Sequence, residues 1–479
     1  MPQTETDVEV QTATSLEHIA DLDRRLADQH KHWLRPQPTL NRTLVSFQAN
    51  KGRAIYRWYK YKEGFAADLV RFFLKELKVT SRARLLDPFS GSGTSLFVAS
   101  ERGIDADGVE LLPIGQQIVA ARQIVESGLS EVEISTLEHW ARTKPWHNVE
   151  GTPLLELKIT QGAYPDDTYK SISGYMAALE QESIRLQTLL RFALLCVLES
   201  VSYTRKDGQY LRWDYRSNRK RGARPFDKGA ILPFDNAICA KLQEIVDDLR
   251  PQGVEELFDM AEARTTTVKG TTKLIHGSCL DTLQTMKTSS YDVIITSPPY
   301  CNRYDYTRTY ALELALLGVD TVGIVQLRQA MLSCTVENRP KELTDLNPNW
   351  GRAIAAADQQ ELLQALLAYL EKERAEGRLN NAGIPRMVRG YFYEMACVIQ
   401  ECGRVLKPGA PLIMVNDNVR YAGANVSVDL ILSEIATRLG FKVEAIYVLP
   451  SNKGNSSQQM GAHGREPLRK CVYQWRKEH

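Results

Sequence analysis

Residues Ala83 to Thr94 read ARLLDPFSGSGT, and the helix-forming run SLFVASERG follows at once from Ser95 to Gly103. An apolar run, a glycine-rich turn and a helix in that order make one strand–turn–helix unit of an α/β protein. Gly91 and Gly93 lack the Cβ that would hold a bound molecule away from the backbone. A second short strand is predicted at ADGVEL, Ala106 to Leu111, and it carries Glu110, 23 residues after Asp87. In nucleotide-binding sheets an acid about 20 residues on can reach a ribose hydroxyl. No Gly-Lys-Ser or Gly-Lys-Thr follows the glycines, which disfavours a phosphate-cradling loop. Asp87 at the strand end suits a cation and would repel a pyrophosphate. The bland alternative makes Asp87 and Glu110 a turn residue and a cap.

After the second strand the alternation stops for about 160 residues, which read as several helices with a basic, aromatic loop between them. It resumes with predicted strands at TKLIHGS (272–278) and YDVIITS (291–297). A predicted helix follows over 391–405, a strand at APLIMVND (410–417), a helix over 428–439, and two last strands, FKVEAIYVL (441–449) and KCVYQWR (470–476). Strands alternating with helices imply a mostly parallel sheet, and two strands in succession imply an antiparallel pair at its end. Near the N-terminus, Leu16, Ile19, Leu22 and Leu26 share one helical face, a docking helix or a fraying tail, before a link at Pro36 to Pro38. A chain of 479 residues exceeds one ordinary core. The expected division is an N-terminal helix and linker (1–45), an α/β catalytic domain (46–112 and 270–479) and an inserted helical, basic region (113–269).

Thr296-Ser297-Pro298-Pro299-Tyr300 stands at the carboxyl end of a predicted strand, where open α/β sheets bind ligands. The prolines restrict the backbone and carry no N–H. Ser297 and the Pro298 carbonyl can accept from an amino group while Tyr300 offers a ring face to a base. A Pro-rich turn with a packed tyrosine has the same composition.

With both loops present, the chain resembles the amino-methyltransferases of DNA, the N4-cytosine and N6-adenine enzymes, whose signatures are a DPFxGxGT-type loop and an (S/D)PPY loop. Trp58-Tyr59-Lys60-Tyr61-Lys62-Glu63-Gly64-Phe65 resembles the segment with which that family lines its cofactor pocket, and Arg404-Val405-Leu406-Lys407-Pro408-Gly409 is common to methyltransferases generally. The likeness spans roughly residues 50–112 and 270–476. It implies a Rossmann-like, seven-stranded methyltransferase sheet, S-adenosylmethionine as cofactor and DNA as partner. Carried over, Ser297, Pro298, Pro299 and Tyr300 are catalytic. Phe65, Asp87, Phe89, Gly91, Gly93, Thr94, Glu110 and Ser278 bind cofactor, with Asp87 toward its ammonium or sulfonium. Gly277-Ser278-Cys279 stands where the family often has Gly-Asp, whose acid bonds the cofactor's adenine. The order of the motifs also only approximates the family's circular arrangements. The implied chemistry is direct transfer to the amino nitrogen of a flipped base, with Cys301 a neighbour rather than a nucleophile. Ser297 favours cytosine N4, because the family's adenine enzymes usually place Asp or Asn there; adenine N6 remains the alternative. Transfer-RNA guanosine N2-methyltransferases share similar loops, but usually carry a separate N-terminal RNA-binding domain and a shorter gap between motifs. A non-catalytic nucleic-acid-binding subunit is the non-enzyme alternative, opposed by intact Gly91, Gly93, Ser297 and Tyr300.

From Tyr203 to Lys228 the chain holds nine Lys or Arg, three Asp and five aromatics. Arg205, Lys206, Arg212, Arg216, Arg219, Lys220, Arg221 and Arg224 are the candidate DNA-binding residues, able to pair phosphates and offer forks to guanine edges. A solvated basic loop has the same composition. A second non-sheet segment, 327–389 with Arg328, Arg339 and Arg386, is expected to form the other wall of the cleft. The net charge of +2 excludes a wholly basic coat. Eight cysteines without a CxxC pair, and no histidines at ligand spacing, argue against a metal or disulfide framework. The longest apolar run, Phe192 to Leu198, lies between Arg191 and Glu199, and no charged-then-apolar segment opens the chain. The expectation is a cytoplasmic protein with no membrane and no metal. The resemblance adds functional pairing with a separately encoded restriction endonuclease, since no nuclease motif is found in this chain.

Overall fold

A computed structural model describes residues 15–207, 210–217, 219, 225–250, 268–450 and 468–479. Its strands in chain order are β1 (Leu34–Pro36), β2 (Arg84–Asp87), β3 (Asp105–Glu110), β4 (Thr204–Asp207), β5 (Tyr210–Trp213), β6 (Thr272–His276), β7 (Val293–Thr296), β8 (Pro411–Asp417), β9 (Val419–Tyr421), β10 (Ala424–Val426), β11 (Phe441–Val448) and β12 (Lys470–Lys477). One eight-stranded sheet has the order β1-β11-β12-β8-β7-β2-β3-β6. All neighbours run parallel except β12, which is antiparallel to both β11 and β8. Seven strands match the expected sheet. The eighth, β1, arises from the Pro-containing link, because Trp33 accepts the Ile446 N–H at 2.6 Å and carries the next residues along the β11 edge.

Alternate side chains along each central strand enter opposite cores, as the two-residue period of a strand requires. Leu86, Ile294, Leu412 and Met414 pack under the helices Ile384–Val405 and Val428–Arg438. Leu85, Val293, Ile295, Ile413 and Val415 face the helices Ala67–Glu76 and Thr94–Glu101. The N-terminal helix Leu16–Gln29 docks on the first of these cores through Ile19, Leu22 and Leu26. Helix Ile384–Val405 begins earlier than its apolar period indicates, because Pro385 occupies its first turn, where a missing N–H costs nothing.

A third core belongs to the helices Glu131–Thr143, Asp166–Leu179, Ile184–Val201 and Phe234–Leu249. Trp58, Tyr59, Tyr61, Tyr310 and Leu314 share it, so the inserted helices pack against segments that border both motifs. Where the sequence reads as a basic loop, β4 and β5 form an antiparallel hairpin. Thr204 and Lys206 are buried and Arg205 and Asp207 exposed. A charged residue on the inward face disguises that alternation. Among the described residues no helix is long and apolar enough to cross a membrane.

Candidate active site

Strand β2 lies between β3 on one side and β7 on the other, paired to the latter through Leu85–Val293 and Leu86–Ile294. The chain therefore leaves opposite sides of the sheet at adjacent strands, which opens a crevice at their carboxyl ends. The glycine loop follows β2 and the Ser-Pro-Pro-Tyr loop follows β7. Thr296 Oγ1 donates to Asp87 Oδ1 at 2.6 Å and ties the two loops together.

Asp87 is buried, and its carboxylate also accepts from the Ser95 hydroxyl and, at 3.1 Å, from the Phe89 N–H. Burial raises its pKa to about 6, against the lowering effect of the Ser95 and Thr296 hydroxyls. The sequence reading turns Asp87 toward a cation of the cofactor. Instead the carboxylate points into the loops, where the hydroxyls of Ser95 and Thr296 occupy it. Gly91 and Gly93 have φ of +52° and +73°, in the left-handed region that favours glycine. A Cβ on Gly91 would come 3.0 Å from Tyr61 Cε1, and one on Gly93 2.8 Å from Val119 Cγ2. Gly93 is thus a packing glycine beneath the loop, and Gly91 the one at its surface.

Glu110 ends β3. Its Oε2 accepts from the Gly91 N–H and its Oε1 from the Leu112 N–H, each at 2.7 Å. Burial raises this carboxyl to about 7, opposed by the same N–H groups. In the catalytic loop, Ser297 Oγ donates to the Val415 carbonyl at 3.2 Å, which leaves its oxygen lone pairs for an incoming amino hydrogen. Tyr300 faces β8 and β12: Lys470 Nζ lies 5.7 Å from its ring centroid and 3.3 Å from Asp417 Oδ2. Burial pushes the Tyr300 phenol up, opposed by the Lys470 charge. Cys301 is buried, which drives its thiol far above the usual range and removes it as a thiolate nucleophile.

A cavity lies between the loops. It gathers Phe65, Phe89, Gly91, Thr94, Glu110 and Ser278 with Ser297 and Pro299. Asp87, Gly93, Pro298 and Tyr300 stand beside it without lining it. Ala330, Met331 and Leu332 close another side, so the segment expected to form the other wall does reach the cavity. Tyr61 and Glu63, within the segment 58–65 likened to the family's pocket lining, also line it, and so does Tyr306, which sequence reading did not single out. Its signal was there: tyrosines clustered just after the Ser-Pro-Pro-Tyr loop. Among the described residues the lining has carboxylates from Glu63 and Glu110 and no Lys, Arg or His. That donor set fits a nucleoside with a cationic tail and is wrong for a phosphate.

The basic insertion divides by exposure. Arg205 and Arg212 are exposed cross-strand partners on the β4–β5 hairpin, and Arg212 also pairs with Asp207 at 3.2 Å. Arg216 is held in a fork on Asp214 at 2.7 and 2.9 Å. Arg219 donates to the Lys158 and Gln161 carbonyls at 3.0 and 2.7 Å. Lys206 departs from the expected phosphate contact. It is buried and pairs with Glu313, while donating to the Tyr59 hydroxyl at 3.1 Å, because its place on the hairpin faces the helical core. Lys220, Arg221 and Arg224 lie outside the described residues.

No family model matches the chain. It is 53% identical over 473 residues, 98% of its length and 96% of the relative's, to the Type II methyltransferase M.AvaI of Nostoc sp. (strain PCC 7120) and to the protein of that name from Anabaena variabilis. It is 38% identical over 500 residues, with 98% of its length and 95% of the relative's covered, to the Type II methyltransferase M.BsoBI of Geobacillus stearothermophilus.

Proposed function

The chain belongs to the Type II methyltransferase family, and from that premise we propose that it transfers a methyl group from S-adenosylmethionine to cytosine N4 of a base flipped out of DNA. The observation that carries the reading is the shared cavity: Ser297 and Pro299 open onto the same space as Gly91 and Glu110. Bound cofactor supplies an electrophilic methyl on a sulfonium. The protein's part is positional. In this reading Glu110 accepts from a ribose hydroxyl, and Gly91 lets the backbone approach the nucleoside. Ser297 Oγ and the Pro298 carbonyl accept the hydrogens of the target amino group and aim its lone pair, so that most of the rate comes from orientation. Extruding a base costs a few kcal/mol, and stacking on Tyr300 returns roughly 1–3 kcal/mol.

The choice of cytosine rests on Ser297, since adenine enzymes of the resembling family usually carry Asp or Asn there. Exposed Arg205 and Arg212 are assigned to phosphate contact. Mass spectrometry of nucleosides from DNA methylated in a host without other methyltransferases tests the proposal. N4-methylcytosine is expected; N6-methyladenine in its place would show that Ser297 does not select the base.

A further inference from the structure

With Asp87 turned into the loops, the cation of the cofactor's amino-acid tail lacks the partner that sequence reading assigns it. Glu110 sits at the carboxyl end of β3, its oxygens on the Gly91 and Leu112 N–H groups, in the place of a ribose acceptor. The remaining carboxylate of the described lining is Glu63. Its oxygens receive the hydroxyls of Tyr304 and Tyr310, residues just past the Ser-Pro-Pro-Tyr loop, which hold it in one orientation. Aromatic rings surround it. Tyr61 stacks on Tyr310 with centroids 5.6 Å apart and planes 8° apart, and Tyr304 meets Tyr306 edge-on at 4.9 Å. Tyr61 and Tyr306 open onto the cavity beside Glu63. Burial first, and the Glu63 charge after it, raise the phenols of Tyr304 and Tyr310, so both stay hydroxyl donors. A fixed carboxylate among ring faces is a site for a compact organic cation.

Resting on the reading of the cavity as the S-adenosylmethionine site, we infer that Glu63 holds the α-ammonium of the cofactor's amino-acid tail. The sulfonium is the other cation available, and the chemistry argues against it. Positive charge leaves sulfur during transfer, so a carboxylate on the sulfonium would stabilise the reactant more than the transition state. The ammonium keeps its charge throughout, and a carboxylate there anchors the tail without opposing the reaction. Glu63 then joins the segment 58–65, which packs with the inserted helices, directly to cofactor binding.

Calorimetry with three probes separates the outcomes: S-adenosylmethionine, S-adenosylhomocysteine, which keeps the ammonium but not the sulfonium charge, and 5′-methylthioadenosine, which has no amino-acid tail. Glu63→Gln is expected to weaken the first two alike, by roughly tenfold to a hundredfold, the loss of one hydrogen bond to a charged group, and to leave the third unchanged. Unchanged affinity for all three overturns the assignment. So does an equal loss for all three, which would report a damaged cavity. A loss for S-adenosylmethionine alone would move Glu63 to the sulfonium and overturn it as well. Should Glu63→Gln not fold, the pair Tyr304→Phe and Tyr310→Phe releases the carboxylate and is expected to weaken the same two probes, with unaltered affinities counting against the inference. Wild-type protein that fails to bind S-adenosylmethionine would overturn the reading of the cavity itself, a result distinct from any of the variant outcomes.

Discussion

Glu110 and Ser297 carry the two halves of the proposed chemistry, and each makes a separable prediction. Burial holds Glu110 at about 7, well above its ordinary 4.5. A ribose hydroxyl donates to the carboxylate, so cofactor affinity is expected to be full above neutral pH and to fall as the pH drops below the folded value. The fall approaches tenfold per pH unit, measurable by calorimetry between about pH 6 and about pH 8. Glu110→Gln should remove that dependence, and a wild-type affinity flat across the range would exclude Glu110 as the acceptor. For folding of the unliganded protein the sign is reversed. A raised folded pKa favours the protonated carboxyl, so its stabilisation is complete below 4.5 and is lost as the pH rises through about 7. Ser297→Ala, by contrast, should lower kcat by roughly a hundredfold or more while leaving the cofactor Kd near wild type, because the hydroxyl acts on the amino nucleophile. A raised Kd with preserved kcat would place Ser297 on the cofactor alone.

The β4–β5 hairpin separates charges that look equivalent in the sequence. Arg205 and Arg212 project outward, whereas Lys206, between them in the chain, is turned into the helical core against Glu313. Replacing Arg205 and Arg212 by Ala together is expected to weaken DNA binding and to reduce the slope of log affinity against log salt, by about 0.9 for each phosphate no longer neutralised. Lys206→Met should do the opposite: little change in that slope, and a loss of about 3–5 kcal/mol in unfolding free energy in urea, because Glu313 is left buried without its cation. A Lys206→Met variant of normal stability with a flattened slope would return Lys206 to the DNA-facing surface. The helix Thr94–Glu101 shows a similar division, since Gly93 serves its packing and Gly91 the cavity.

Across the molecule, the cavity proposed to bind cofactor spans loops after β2, β3 and β7 together with the segment carrying Glu63, so ligand should stabilise the fold as one unit. At a hundredfold excess over Kd the stabilisation is about 2.7 kcal/mol, visible as a rise in Tm. Gly91→Val should abolish the rise, since a branched side chain at φ +52° is strained and already meets Tyr61; a wild-type thermal shift in that variant would remove the glycine loop from the site. The local text of the chain was sufficient for the central strands, the glycine turn, the Ser-Pro-Pro-Tyr loop and the antiparallel end of the sheet. Strand period, glycine placement and proline placement are properties of neighbours in sequence, and they survive folding unchanged. The hairpin at β4 and the edge strand β1 were not legible, one because a buried lysine broke its apolar alternation and the other because only pairing with β11 makes it a strand. Three further outcomes depended on tertiary structure: β7 came to lie beside β2, Asp87 turned inward to Ser95 and Thr296, and Glu63 was left facing the cavity. A carboxylate goes wherever donors reach it, and those donors are supplied by residues remote in the chain, so the type and position of an acid are written in the sequence while its partner is decided only by the fold.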